Sequence, residues 1–112
     1  MGPFATHQVV LLPFPFSDLT ASKLRPALVL ADAGKGDWVL CQITSNPYSD
    51  PSAVAITDAD FAQGGLQRVS YARANKIFTA NESLFQRAAG HLTPECHANV
   101  VRVIVDLLQS GR

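Results

Sequence analysis

Charge of neither sign predominates in this chain. Nine Lys and Arg stand against nine Asp and Glu, so the formal net charge is zero. That balance gives no support to general, charge-driven nucleic-acid binding, and any grip on phosphate must come from a local concentration of cations. Cysteine is scarce: Cys41 and Cys96 cannot by themselves build a disulfide framework or a four-ligand metal site. No apolar run reaches transmembrane length, and Met1-Gly2-Pro3-Phe4 lacks the basic-then-apolar pattern of a secretory signal. A cytoplasmic location with no membrane partner is therefore expected. Repeats, low-complexity stretches and linkers are missing, as are a Gly-rich phosphate loop and a GxSxG elbow. His91, Cys96 and His97 lie close together but without a recognised zinc spacing, so no metal and no cofactor is expected.

What is present is apolar and punctuated. With 112 residues, 47% of them hydrophobic, the chain reads as a single domain over residues 1–112 with one core. Short apolar runs at residues 8–12, 27–31, 38–44, 53–56, 67–72, 76–79 and 87–92 read as strands. Turn signals separate them: Gly34-Lys35-Gly36, Asn46-Pro47, Ser49-Asp50-Pro51, Gln63-Gly64-Gly65 and Ala74-Asn75. The end of the chain differs. Thr93-Pro94-Glu95 is a helix start, Val100, Val103, Ile104, Leu107 and Leu108 recur at helical spacing, and Gly111 is a stop. The fold class predicted is mainly β, a small barrel with a C-terminal α-helix. Charge is also unevenly spread. Residues 26–66 hold Lys35 against five Asp, whereas residues 67–90 hold Arg68, Arg73, Lys76 and Arg87 against Glu82 alone.

The most informative stretch is residues 9–30, VVLLPFPFSDLTASKLRPALVL. A β-branched run is closed by Pro13 and Pro15, which cannot donate to a ladder and so mark a sheet edge or exit. A polar loop follows, and then Arg25, biased towards an extended backbone by Pro26. A guanidinium held at the mouth of a strand suits a planar anion such as phosphate. Phe16 and Tyr48, beside loops, are candidates for stacking on bases, while Phe14, Trp38 and Cys41 read as core.

PFPFSD, a short loop and K-x-R-P-A-L-V-L closely resemble the opening of the MazF/PemK family of toxin endoribonucleases. The resemblance continues through Cys41-Gln42-Ile43-Thr44-Ser45, Ser70-Tyr71-Ala72-Arg73, Asn75-Lys76-Ile77-Phe78-Thr79, Gly90-His91-Leu92 and the closing helix. It implies the SH3-like barrel shared by CcdB, MazF and PemK toxins. It also implies a sequence-selective, metal-independent endoribonuclease acting on single-stranded RNA, a homodimer, and a cognate antitoxin as partner. The family's catalytic arginine and threonine fall on Arg25 and Thr44. The RNA-contacting set expected is Phe16, Ser17, Lys23, Ser45, Tyr48, Arg73 and Lys76. Where the family opens its first strand with Gly-Asp this chain has His7-Gln8, and His7 is a candidate proton-transfer group. The alternatives are a non-enzymatic, CcdB-like toxin that inhibits a protein target and a purely binding module of the same fold.

Overall fold

In the computed structural model, residues 3–14, 23–47 and 49–111 are described. Phe16, Ser17 and Tyr48 lie outside the described residues, as does the side chain of Phe14. Seven strands form one sheet: β1 (Gln8–Phe14), β2 (Lys23–Gly34), β3 (Asp37–Thr44), β4 (Ala53–Ile56), β5 (Phe61–Gly64), β6 (Ser70–Asn81) and β7 (Arg87–Leu92). Helix α1 (Pro94–Ser110) follows. Spatial order is β4-β6-β3-β2-β1-β7-β5, with every neighbouring pair antiparallel. Register irregularities at Val9/Val10, Val29/Ala31 and Cys41/Ile43 add local twist, and the sheet curls into a half-barrel. Its two edges, β4 and β5, are four residues each, short enough to offer little template for stray pairing.

Both faces of the curled sheet are apolar, because alternate residues of the central strands are apolar on each side. Val9, Leu28, Cys41, Ile43 and Ala72 pack with Val100 and Ile104 of α1. Val10, Leu12, Ala27, Val29 and Leu40 pack on the other side with Trp38 and Phe85. Trp38 is core, as its sequence context implied, and its indole Nε1 donates to Glu82 Oε1 at 2.9 Å. The helix starts as the sequence indicates: Thr93 Oγ1 accepts from the Cys96 N–H at 3.2 Å, and Pro94 occupies the first turn. Gly111, at φ 70°, ends it.

Two elements differ from the sequence reading. The runs expected at 67–72 and 76–79 merge into one strand, β6, which begins only at Ser70, leaves residues 67–69 in the preceding loop, and runs unbroken through Ala74-Asn75. Ala74 is buried in the helix-side core, and the shift at Cys41/Ile43 absorbs the irregularity that a turn would otherwise take up. Gln63-Gly64, read as a turn, is the end of β5, paired to His91 and Gly90 of β7. The two backbones approach so closely that a Cβ on Gly90 would meet Gln63 O at 2.6 Å.

Candidate functional site

One pole of the sheet is open. There β1 ends, β2 starts, β3 ends, and β6 and β7 start, so a single groove of about 490 Å³ is lined from five strands and the loop before β6. β7 pairs with β1 only as far as Leu11, so among the described residues the rest of β1 has one neighbour, β2. Pro13, which has no N–H to donate, is tolerated at that free edge.

Arg25 and Thr44 meet in this groove. β2 and β3 pair Ala27 with Gln42, and extending that register outward by two residues sets Arg25 level with Thr44 on adjacent strands. Arg25 is exposed, two residues from the start of β2 and followed by Pro26. Thr44 is buried, and its Oγ1 accepts from the Asn46 N–H at 3.2 Å, which turns the hydroxyl proton away from that bond and frees it to donate. Ser45, exposed, and Lys23 line the same groove.

Sequence reasoning did not single out Arg68 and Arg87, yet both line the groove. Arg68 sits in the loop between β5 and β6. Ser70 Oγ donates to its carbonyl at 3.1 Å, and the Gly65 N–H donates to Ala89 O at 3.2 Å, fixing that loop against β7. The basic excess of residues 67–90 held the signal for both arginines, without the register that selects them. Lys23, Arg25, Arg68 and Arg87 thus share one cleft, and no Asp or Glu is among its described lining residues. Four of the nine cations of a neutral chain line this groove.

Arg73 and Lys76 are not in that lining. Arg73 Nε donates to Asp50 Oδ2 at 3.0 Å, and its carbonyl accepts from Cys41 Sγ at 3.0 Å. Asp50 Oδ1 also accepts from Ser52 N–H at 2.9 Å and Ser52 Oγ at 2.7 Å. Burial pushes the Asp50 carboxyl up, but the hydrogen bonds from Ser52 and Arg73, with the Arg73 charge, outweigh it and hold the group below its usual range. This network ties the segment that follows Thr44 to β6. Burial, with Asp50 nearby, pushes the Cys41 thiol up to about 12, which makes it an inert core group.

His7 stands far from the groove, because it precedes β1 and the groove lies at the other end of that strand. Its ring stacks on His97 with centroids 3.8 Å apart, and His91 lies 5.9 Å away. Among the described residues, no group of three or more His, Cys, Asp or Glu is arranged to hold a metal ion, this trio included. No helix among them is long and apolar enough to cross a membrane.

The fold recurs in solved toxin structures. The MazE–MazF complex of Deinococcus radiodurans superposes with a TM-score of 0.74 at 21% identity, covering 95% of this chain and 96% of that one. An endoribonuclease in complex with its cognate antitoxin, from a mycobacterial species, gives 0.72 at 18% identity over 97% and 96%. The Mycobacterium tuberculosis toxin MazF-mt6 gives 0.71 at 17% over 91% and 96%. No curated protein sequence matches the chain. The family of PemK-like, MazF-like toxins of type II toxin–antitoxin systems matches residues 6–108, nearly the whole chain, and the protein belongs to that family.

Proposed function

We propose that the groove binds single-stranded RNA and cleaves it without metal, using the substrate's own 2′-hydroxyl as nucleophile. The 2′-oxygen attacks the adjacent phosphorus and gives its proton to solvent water, the bond from phosphorus to the 5′-oxygen breaks, and that oxygen takes up a proton from water. The products are a 2′,3′-cyclic phosphate and a 5′-hydroxyl. The observation that carries this reading is that Arg25 and Thr44 line one cleft, together with Lys23, Arg68 and Arg87 and no described carboxylate. Arg25 spans two non-bridging oxygens as charge builds on the phosphorane, and the Thr44 hydroxyl donates to one of them. The described lining residues supply alignment and electrostatic stabilisation. Lys23 and Ser45 hold the flanking strand.

A cognate antitoxin would silence the protein by laying a carboxylate near Arg25 where the phosphate sits. The exposed apolar side chains of Ile77 on β6 and Leu108 on α1, which border one hollow, support a homodimer. The test of the chemistry is a variant series. Arg25→Ala should cut the cleavage rate by two or more decades, since one preorganised donor of this kind is worth about 3–4 kcal/mol. Arg25→Lys should rescue only in part, having charge without the fork. Thr44→Val should slow cleavage while keeping shape. If instead these variants lower the melting temperature and leave activity per folded molecule near normal, both residues are structural and the reading fails.

A further inference from the structure

The chemistry above occupies one phosphate and leaves Arg87 unused. Arg87 opens β7 and pairs with Leu11 of β1, whereas Arg25 pairs with the next residue, Leu12, from the opposite side. β1 therefore runs between the two arginines, with Cα atoms two interstrand spacings apart, about 10 Å. Leu11 and Leu12 face opposite sides of β1, so the two side chains leave opposite faces of the sheet, and both border the groove at its open pole. The base of Arg87 is fixed. Gln86, just before it, donates its N–H to Leu11 O at 2.8 Å, and Phe85 is buried with its ring edge-on to Phe4 at 4.9 Å. The side chain is exposed, and no carboxylate among the described lining residues competes for it. With both non-bridging oxygens of the scissile phosphate taken by Arg25 and Thr44, the anion left for a second fork in the same cleft is the neighbouring phosphate of the same strand.

We infer that Arg87 is a second phosphate-binding residue, holding the phosphate next to the scissile one on single-stranded RNA. This rests on the reading of the groove as an RNA cleft, but not on cleavage itself. Arg87 is a binding and positioning group. It recognises no base, so it should act alike on all sequences and set affinity through charge.

The experiment measures binding by fluorescence anisotropy across a salt series, with a short random-sequence 2′-fluoro RNA that lacks the attacking hydroxyl. Arg87→Ala should weaken binding about tenfold at low salt and reduce the slope of log affinity against log salt by about 0.7, the increment for one single-strand phosphate contact. Arg87→Lys should keep the wild-type slope and recover most of the affinity. Arg102→Ala, on the exposed face of α1 and outside the groove, should change neither. All variants should melt with the wild type, since these side chains are exposed. An Arg87→Ala protein with wild-type affinity and slope overturns the inference, including the case in which it loses only its hold on an acidic antitoxin peptide. Wild-type protein that binds in an Arg87-dependent way yet cuts no RNA upholds Arg87 and removes the nuclease reading. Protein that cuts RNA with an unchanged slope in Arg87→Ala does the reverse.

Discussion

Asp50 touches no groove residue's charge, yet replacing it should impair both fold and site. Its side chain is 3% exposed and accepts three hydrogen bonds, two from Ser52 and one from Arg73, whose side chain is 16% exposed. Asp50→Ala removes all three and leaves the Arg73 guanidinium without this anion. Breaking a fully buried pair from one side costs about 3–5 kcal/mol, and the residual exposure of Arg73 discounts that to about 2–3 kcal/mol. For a chain of this size the melting temperature should fall by about 10–15 °C. Asp50→Asn, which keeps the shape and one acceptor, should lose less. In the double variant Asp50→Ala/Arg73→Met no buried charge remains, so part of the loss should return, by about 1 kcal/mol or more. Thermal melts and urea midpoints on wild type, Asp50→Ala, Arg73→Met and the double variant, read as a double-mutant cycle, give the coupling directly. Cleavage per folded molecule should also drop in Asp50→Ala, because the segment after Thr44 is no longer tied to β6. An Asp50→Ala protein melting within about 2 °C of wild type would refute the reasoning, since only a surface-like pair behaves so.

Acid should destabilise the protein through His97. Burial first, and then the nearby charges of His7 and His91, pull its pKa from 6.5 down to about 4, and its Nδ1 has no hydrogen-bond partner among the described residues. The unfolded chain therefore takes up a proton that the folded one refuses. Stability is complete above about pH 6.5 and is lost progressively as pH falls towards 4. Melting temperatures taken across that range should slope in wild type and flatten in His97→Phe; parallel curves would reject the assignment. Leu108 is 69% exposed on α1, so Leu108→Glu should shift a micromolar light-scattering mass from dimer to monomer. A wild-type protein that is monomeric there removes the dimer.

Much of this was legible in the chain, for identifiable reasons. The central strands β1, β2 and β3 carry dense β-branched and apolar runs, and Thr93, Pro94 and Gly111 state where the helix begins and ends. β5 was hidden because its Gly64 pairs with Gly90 through bare backbone, which leaves no side-chain pattern to read. In the sequence β6 reads as two runs because Ala74-Asn75 lacks strand-forming side chains, although Ala74 is small enough to be buried beneath α1. Arg25 and Thr44 stood out because each sits inside an intact motif. Which other cations join them depends on register and strand polarity. Arg68 and Arg87 fall at the pole where β6 and β7 begin, while Arg73, five residues after Arg68, lies on β6 with Asp50. Sequence gives the excess of charge over residues 67–90, and only the fold divides it.

The most direct test of the central claim is to incubate purified protein with a long single-stranded RNA in EDTA and to map the chemistry of the ends. The account predicts cleavage at a restricted set of sites, each leaving a 2′,3′-cyclic phosphate on one fragment and a 5′-hydroxyl on the other, and no cleavage by Arg25→Ala. RNA left intact with and without magnesium would contradict the enzyme reading and favour a toxin that acts by binding. Ends bearing a 5′-phosphate would contradict attack by the 2′-hydroxyl.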